Sequence, residues 1–491
     1  MPACGDGPSS TSEASSTEGT DSDATDSTDD STGETGEESE SESETGPVTD
    51  FPNCSCADDY SGDGTCIEVP SGDSEMLQIA ANTLEDGDML VIGSGVYELE
   101  NQVTLRADSL TVCGQGKGTE GSMDEGTILD FLSQTTQGNG VDAVGDNFAI
   151  RDLAVMDAKK DGVRIEDSDG VTIQRVRVTW RNESDSENGA YGIYPVKVQH
   201  VLMEECEAYN TSDAGIYVGQ CQHAIVRNNI AMRNVAGIEI ENTQYADVYG
   251  NHAEDNTGGL VIFDLPGNPV VGRDIHVHDN MVIANNRGNF APGGTVKAIP
   301  VGTGTFAMAS RRVEINNNTY TDNGSFDIAI VSGLIIEGNE DSWALDEAEL
   351  VGDVDDLNLP GDGMGTVYTY RSENAYVHDN IHSGGGMDPL GSTLDQELGI
   401  LLQLVYGEET IDTLLYDTIG ESGFSPTDAA VNTNDNHVCF VDNGGGTFAS
   451  LNIEQLAMGG ATTDDLYRPD EPYTPFDCTD LGGDPIIPPD L

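Results

Sequence analysis

A short motif led by glycine recurs through the middle of this 491-residue chain at intervals close to 22 residues. In every copy the glycine is followed by alternating apolar side chains, which is the pattern of a short β-strand with one face turned to a core. Repeats of this length are typical of solenoid proteins, in which each repeat packs only against its neighbours. The copies begin at Gly162, Gly192, Gly215, Gly237 and Gly259.

Two more apolar columns follow each glycine-led strand, one for a second strand and one for a third. The second strand carries the inward pairs Val171/Ile173, Val201/Met203, Ala224/Val226, Ala246/Val248 and Ile275/Val277. The third strand starts with Val155, Val178, Ala208, Ala231, Ala253, Val282 and Tyr320. Three short strands per coil, each with one apolar column, close into a triangular tube. We therefore predict an all-β fold, a single-stranded parallel β-helix with coils of about 22 residues.

An asparagine recurs at the corner between the second and third strands. Asparagine tolerates the left-handed backbone conformation of a sharp corner, and its amide can bond to the next asparagine along the stack. We interpret the column as structural, because a functional cluster would not repeat at every coil. Its members are Asn229, Asn251, Asn280, Asn318, Asn339 and Asn380.

Composition divides the chain into four parts. The first fifty residues contain fifteen acidic side chains and no Lys or Arg, a composition that predicts a disordered Ser/Thr-rich tether. The formal net charge of −70 excludes nucleic acid as a partner, because the phosphate backbone would be repelled. The predicted parts are the tether (1–50), a small cysteine-containing segment (51–73), the β-helix with a helical cap at its start (74–385) and a C-terminal cap or side-packed segment (386–491).

The cysteines favour disulfides over zinc, because no CxxC pair or histidine stands at ligand spacing. Cys439 and Cys478 flank the C-terminal segment, and Cys54 and Cys66 lie in a Gly/Asp-rich loop. Cys4, followed by the acidic tether, resembles the lipidated cysteine of bacterial lipoproteins, although no hydrophobic stretch precedes it and a chance cysteine is the alternative. This resemblance implies a bacterial protein exported to the cell surface, the periplasm or the medium, with membrane contact only through a lipid anchor.

The predicted N-terminal helix and the strands after it resemble the opening of right-handed parallel β-helix proteins of the pectate-lyase-like superfold. Several segments are similar to a bacterial group of exported or lipoprotein β-helix proteins that has no established activity. The wider superfold includes polysaccharide lyases, uronan epimerases and glycoside hydrolases, so the resemblance implies a carbohydrate or cell-surface polymer as partner. It covers about residues 75 to 480 and rests on residues 87–92, 95–99, 212–220, 235–242 and 289–292.

Long insertions mark one edge of the tube as the predicted functional side. They fall between the third strand of one coil and the first strand of the next, near residues 182–191, 285–303 and 340–364, with another at 265–272. The outward positions of the first strand between them are predicted to bind substrate through tyrosine rings and polar groups. The candidates are Arg164, Tyr194, Tyr217 and Asp264, followed along the outward column by Glu239, Val261, Ala307, Ala329 and Tyr368.

Glu239, Glu241 and Asp213 are the predicted catalytic carboxyl groups, since glycoside hydrolysis uses a carboxyl pair. A lyase or epimerase would instead need a base and a cation for the substrate carboxylate, and Arg164, Lys197, Arg273 or a bound Ca²⁺ are the candidates. A decorated β-surface without function is the alternative interpretation.

No metal site is predicted from the histidines. His276 and His278 both face outward around Val277 and stand near His252 of the previous coil, but solvated surface histidines explain this pattern. Three functions remain open: carbohydrate binding or modification on the first-strand face, a non-catalytic adhesion solenoid, and an accessory factor of an exported redox or maturation system.

Overall fold

The computed structural model describes residues 64–354, 357, 359–387, 397–417, 419, 425, 427–451 and 462–491, and these form a tube of parallel strands. The predicted all-β parallel β-helix is confirmed. The tube has three faces, named face 1, face 2 and face 3 after the three strands of a coil. Within the described residues the α-helices are Ser74–Ala81 and Glu397–Tyr406, and the 3-10 helices are Thr295–Ala298, Gly333–Ile335, Glu340–Trp343, Glu347–Glu349, Ala429–Val431 and Thr463–Asp465.

Face 1 consists of the glycine-led strands and is a single eleven-stranded parallel sheet. Its inward side chains are buried and are apolar as the repeat predicts, apart from Thr305 and Ser450. The strands are Val103–Leu105, Val141–Ala143, Val163–Glu166, Ile193–Val196, Ala214–Gly219, Ala236–Glu241, Gly258–Phe263, Thr303–Met308, Phe326–Val331, Leu414–Tyr416 and Phe448–Ser450.

Faces 2 and 3 meet at a corner that two long strands, Ala149–Met156 and Asp169–Thr179, turn without a break. The other strands of face 2 are Cys66–Val69, Met89–Ile92, Thr111–Cys113, Gln199–Glu204, Gln222–Arg227, Gln244–Tyr249, Arg273–His278, Arg311–Asn316, Glu373–His378 and Val438–Val441. Those of face 3 are Gly95–Glu98, Thr127–Asp130, Glu207–Tyr209, Ile230–Met232, His252–Glu254, Met281–Ile283, Thr319–Thr321 and Ile381–Ser383. A separate antiparallel ribbon pairs Ala344–Asp346 with Thr366–Tyr368.

The asparagine column forms a buried hydrogen-bonded ladder, as predicted. Asn251 donates from Nδ2 to Asn280 Oδ1 at 3.0 Å, and its own Oδ1 accepts from the backbone N–H and the Nδ2 of Asn229 at 3.0 Å. The ladder continues through Asn318 and Asn380, whose Nδ2 reaches Asn443. A second ladder at the next corner was not predicted, and it consists of Asn234, Asn256, Asn285 and Asn323.

Two details of the column prediction are wrong. Asn339 is exposed and caps a 3-10 helix in the insertion after Phe326–Val331, because its side chain accepts from Asp341 N there. The left-handed conformation falls on the residue before each ladder asparagine, as at Asn228 (φ 55°) and Asn317 (φ 53°). The ladder amide therefore points into the corner from an ordinary backbone conformation.

The predicted N-terminal helix covers the start of the tube, and the second α-helix belongs to the segment predicted to be a C-terminal cap or side-packed. Ser74–Ala81 buries Leu77, Ala80 and Ala81 against the first coils, and Asp73 caps it by accepting from Met76 N at 2.9 Å. Glu397–Tyr406 is side-packed: its apolar face lies on the outside of face 1. Among the described residues no helix is long and apolar enough to cross a membrane.

Strands extend the tube beyond the predicted limits of 74 and 385. Cys66–Val69 pairs with Met89–Ile92, and Val438–Val441 pairs with Glu373–His378. The repeat is hard to see there because long insertions separate the strands. The predicted disulfide joins Cys439 to Cys478 with a Cα–Cα distance of 5.2 Å, and Cys66 and Cys113 also take part in disulfides. Cys4, Cys54 and the acidic tether lie outside the described residues.

Candidate functional site

The outward side of face 1 changes from polar to apolar along the tube. Register places nine side chains in one outward column: Asp142, Arg164, Tyr194, Tyr217, Glu239, Val261, Phe306, Ala329 and Leu415. A parallel column two residues on contains Glu166, Val196, Gly219, Glu241, Phe263, Met308 and Val331. The polar half of the two columns contains Glu239, Glu241 and the predicted tyrosines, and Asp213 stands directly before the strand Ala214–Gly219.

Two outward positions were predicted wrongly. Ala307 pairs with Ile262 and faces the core, whereas Phe306 faces outward. Tyr368 belongs to the antiparallel ribbon and not to face 1. The error at Ala307 has a physical cause. The outward side of face 1 is covered here, so the large apolar Phe306 faces outward and the small Ala307 faces the core, and the two sides cannot be told apart by hydrophobicity.

The insertions lie across the outward side of face 1, so that much of it is covered. Residues 284–302, which we call the cover loop, contribute Ala291, Val296 and Ile299 to an outer apolar cluster that also contains Tyr217 and Val261. As a result Tyr217 is 4% exposed. The predicted walls thus form a lid over the centre of the face.

Four carboxyl groups lie close enough on this side of the tube to interact electrostatically, and we call them the acid cluster: Asp161, Asp213, Glu239 and Glu241. Glu239 is 2% exposed, Glu241 8% and Asp161 1%. Among the described residues, no hydrogen-bond partner reaches Glu239 Oε2, Asp213 Oδ1 or either carboxyl oxygen of Asp161, and all four atoms are buried. The structure therefore brings the three predicted catalytic carboxyl groups together and adds a fourth.

Burial and mutual repulsion favour the protonated forms of Asp213 and Glu239. Burial, followed by the negative charges of Asp213 and Glu241, raises the pKa of Glu239 well above its usual range. Burial and the charges of Glu241 and Asp161 do the same to the pKa of Asp213, although a hydrogen bond with Tyr191 opposes them. Burial raises the pKa of Asp161 to about 6. Protonated Asp213 and Glu239 are therefore favoured at neutral pH, whereas Asp161 is mostly ionised there.

Three tyrosines, which we call the tyrosine triad, pack against each other beside the acid cluster. The ring centroid of Tyr191 is 4.6 Å from those of Tyr194 and Tyr217, and the latter two are 4.8 Å apart. The Tyr217 ring lies over Gly219, where an added Cβ would be 2.2 Å from Tyr217 Cε1. Burial raises the pKa of all three hydroxyl groups, so they remain neutral donors.

The cations predicted for a lyase or epimerase are already paired with carboxylates. Arg164 binds Glu166 and lies 3.4 Å from Asp142 Oδ1, and Lys197 Nζ is 3.8 Å from Glu166 Oε1. Arg273, the third predicted cation, lies on face 2 and places Nε 2.7 Å from Asp274. The cations proposed for a lyase or epimerase are thus engaged by carboxylates or lie on another face.

Asp264 serves the corner next to the site. Its two carboxyl oxygens accept from Gly272 N at 3.1 and 2.8 Å, which fixes the insertion between residues 265 and 272. Burial raises its pKa to about 7, although Arg311 opposes this. These contacts hold the backbone of the insertion, so Asp264 has a structural role at this corner.

Sequence reasoning missed Asp161 and Tyr191. Each stands directly before a repeated glycine, Gly162 and Gly192, and their carbonyls accept from the backbone of neighbouring coils. The sequence carries the signal, because this position holds alanine in later copies, at Ala214 and Ala236. A change from alanine to a polar or aromatic residue in a repeated column marks a coil with a separate role.

Comparison with known proteins agrees with the tube. Residues 161–341 match the family model described as right handed beta helix region. No curated protein matches the chain.

Several solved structures are similar at low identity. The A-module of the mannuronan C-5 epimerase AlgE4 of Azotobacter vinelandii is 16% identical (TM-score 0.44), covering 70% of this chain and 90% of that one. An alginate lyase of Paenibacillus sp. is 13% identical (0.35), covering 54% and 87%. An exopolygalacturonase of Thermotoga maritima is 11% identical (0.37), covering 55% and 79%. At these identities no residue role carries over.

Proposed function

We propose that this right-handed parallel β-helix of the pectate-lyase-like superfold binds a neutral carbohydrate on face 1 and hydrolyses it with carboxyl groups of the acid cluster. One observation carries the proposal: Asp213 and Glu239 have raised pKa values and one buried carboxyl oxygen each without a hydrogen-bond partner among the described residues, and they lie beside Glu241 and three tyrosines. Native proteins bury carboxyl groups in this way rarely, because each unpartnered oxygen costs stability. Function is the usual reason for retaining such groups.

The protonation state of the cluster suits an acid catalyst. A carboxyl group that is still protonated at neutral pH can donate a proton to the oxygen of a glycosidic bond, and a nearby carboxylate can assist the attack on the sugar. Asp213 and Glu239 repel each other as anions, so deprotonation of one favours retention of the proton by the other. We assign Glu239 and Asp213 as this pair and Glu241 as the residue that tunes them.

The charge around the site favours a neutral substrate over a uronate. The chain has a formal net charge of −70, and Arg164 is bound by Glu166 and Asp142. A polyanion would therefore meet net repulsion, and Arg164 is not free to offset it. Tyrosine rings and hydroxyl groups, in contrast, match the apolar faces and the hydroxyls of neutral sugars.

The test is glycan-array binding and reducing-sugar release by the full chain, with neutral and uronate polysaccharides, each with and without Ca²⁺. We expect turnover of a neutral polymer that Ca²⁺ does not change and that falls by about 100-fold or more in Asp213→Asn and Glu239→Gln. Glu187→Gln, at an exposed glutamate of the neighbouring insertion, is the matched control and should keep full activity.

Each other outcome contradicts a stated part of the proposal. Binding without turnover would contradict the catalytic assignment, and preference for a uronate would contradict the charge argument. If no glycan binds, the carbohydrate function is wrong and an adhesion solenoid becomes the better explanation. Unchanged turnover in Asp213→Asn and Glu239→Gln would show that the acid cluster is not the active site.

We also propose that the chain works outside the cytoplasm, at a bacterial surface, with Cys4 as lipid attachment site. The Cys439–Cys478 disulfide supports export, since disulfides persist in oxidising compartments. Metabolic labelling with a fatty acid should mark the parent chain expressed with an export signal and should not mark Cys4→Ser. Equal labelling of both would contradict the anchor.

A further inference from the structure

Face 2 carries a second group of chemically active side chains, on a side of the tube that the proposed carbohydrate site does not use. His276 and His278 stand on the strand Arg273–His278, and Asp247 stands on the neighbouring strand of the previous coil, directly opposite His276. Because neighbouring strands are about 4.8 Å apart, the three side chains project from one small patch. His252, which the sequence placed nearby, lies on face 3 instead, where its Nε2 is 2.6 Å from Glu254 Oε2.

We propose that Asp247, His276 and His278 form a binding site for a divalent transition metal ion such as Zn²⁺. One ligand atom of each residue lies within 4.8 Å of the others. His278 Nε2 is 3.0 Å from Asp247 Oδ1, and His276 Nδ1 is 3.6 Å from the same atom. Ligands of a tetrahedral zinc ion are about 3.3 Å apart, since each stands about 2 Å from the metal. The observed separations lie on either side of this value.

The surroundings of His278 orient it for metal binding. Its Nδ1 lies 2.7 Å from Asp279 Oδ2, so that carboxylate can hold a proton on Nδ1 while Nε2, on the side of Asp247, gives its lone pair to a metal ion. Metal-binding histidines usually have such a carboxylate behind them, and it fixes both the tautomer and the ring orientation. The rings of His276 and His278 stack at 4.1 Å between centroids, which keeps both imidazoles on the same side.

The chemistry of the three residues selects the kind of ion. Two imidazoles and one carboxylate suit zinc, copper or nickel, whereas Ca²⁺ prefers oxygen ligands alone. The side chains are 19–29% exposed, so an ion from solution can reach them and can keep a water molecule as its fourth ligand. The other triplet of possible ligands among the described residues includes both sulfur atoms of the Cys439–Cys478 disulfide, which do not bind metal as thiolates do.

The same face supplies a comparison site with one imidazole fewer. Two coils further along, His378 contacts Glu314 Oε1 at 3.0 Å and has Asp379 Oδ2 2.7 Å from Nδ1, as His278 has Asp279. The position before it, which corresponds to His276, is Tyr376. A single imidazole beside one carboxylate is a weak metal site, so His378 provides a matched control.

The test is competition between the full chain and a chromophoric chelator for Zn²⁺, because the many surface carboxylates bind cations weakly and a chelator masks them. We expect one site per chain that loses at least about 100-fold in affinity in His276→Gln, His278→Gln and Asp247→Asn. His378→Gln should bind as the parent does. Co²⁺ should give the intense visible absorption of a four-coordinate nitrogen and oxygen site in the parent and in His378→Gln, and not in the three ligand variants.

Two results would overturn the proposal: no site above the weak background in the parent chain, or equal affinity in the parent and in His278→Gln. Circular dichroism of each variant separates loss of a ligand from loss of the fold, and Asp247→Asn, the most conservative change, provides a second reading. The carbohydrate assay does not depend on this site, so the two proposals can fail separately.

Discussion

Buried carboxyl groups of this chain are of two kinds, and single atoms distinguish them. Asp264 has both oxygens bonded to Gly272 N, and Asp142 is held by Arg106 and Asn139. Glu239, in contrast, has a buried oxygen without any partner among the described residues. Groups of the first kind maintain the structure, whereas one of the second kind lowers stability, and we attribute its presence to a ligand that completes its hydrogen bonds.

Glu239→Gln should make the protein more stable at high pH. The pKa of Glu239 is raised in the folded state, so its contribution to stability is complete below the ordinary glutamate value near 4.3 and is lost as the pH rises toward the folded value. Glutamine has no proton to lose. We expect the variant to gain about 1–3 kcal/mol over the parent at pH 8 and little at pH 4, measured as melting temperature against pH.

The opposite pH dependence, in which Glu239→Gln is more stable than the parent only at acidic pH, would contradict the assignment of Glu239 as a buried carboxylic acid with a raised pKa. Glu187→Gln serves again as control, since a substitution at an exposed glutamate should change the free energy of unfolding by less than about 0.5 kcal/mol at either pH.

Gly219→Ala should weaken carbohydrate binding while the tube remains folded. The added methyl group would lie 2.2 Å from Tyr217 Cε1, so the ring must leave its place in the tyrosine triad. We expect a loss of about tenfold in glycan affinity, equal to about 1.4 kcal/mol. Gly288→Ala in the cover loop is the control, because its Cβ would meet no atom within 4 Å. Equal affinities of the two variants would show that the triad does not contact the ligand.

At the scale of elements, the corners join successive coils and the insertions cover the outward side of face 1. Each corner asparagine saturates the backbone of two coils, so a coil is held to the next by side-chain as well as strand hydrogen bonds. The strands alone could be read from the repeat, and so could the ladder through Asn380. The packing on the outward side of face 1 could not be predicted, because the sequence of a 19-residue insertion such as residues 284–302 has no periodicity that indicates where it will pack.

Asn251→Ala should destabilise the tube much more than Asn339→Ala. The first change removes an oxygen that accepts twice from Asn229 and an amide that donates to Val226 O and Asn280, all of them buried. Buried groups without partners cost about 1–3 kcal/mol each, so we expect a loss of about 3 kcal/mol or more. Asn339 is exposed and caps a single 3-10 turn, which predicts a loss below about 1 kcal/mol. Denaturant unfolding measures both.

The candidate site, like the fold, could be predicted from the sequence only where it depends on strand alternation. Glu239, Glu241, Tyr194 and Tyr217 followed from strand alternation, and Asp213 followed from its corner position. Their burial did not, because it depends on the cover loop, and Asp161 entered the cluster through a coil separated from Asp213 by 52 residues in sequence. Long-range packing of irregular segments decided what local periodicity could not.

On the scale of the whole molecule, the C-terminal tail fastens the last coil to earlier ones. From Cys478 it runs back along face 2, where Arg312 Nη2 donates to Asp484 O at 2.9 Å and Ile487 N donates to Asp274 Oδ1 at 3.1 Å. Its last contact is from Asp490 N to His223 Nδ1 at 3.0 Å. Since the coils of a solenoid otherwise contact only their neighbours, a tail that spans several coils couples their unfolding.

The double substitution Cys439→Ser with Cys478→Ser should therefore release the tail and loosen the C-terminal coils. The disulfide closes a loop of 39 residues, for which the chain-entropy estimate is about 4 kcal/mol at most. We expect a lower melting temperature together with rapid protease cleavage between residues 478 and 491. Cys206→Ser, at a buried free thiol, controls for the loss of a cysteine and should leave the tail protected. A tail that stays protected in the double variant would mean that its hydrogen bonds to face 2 suffice without the covalent link.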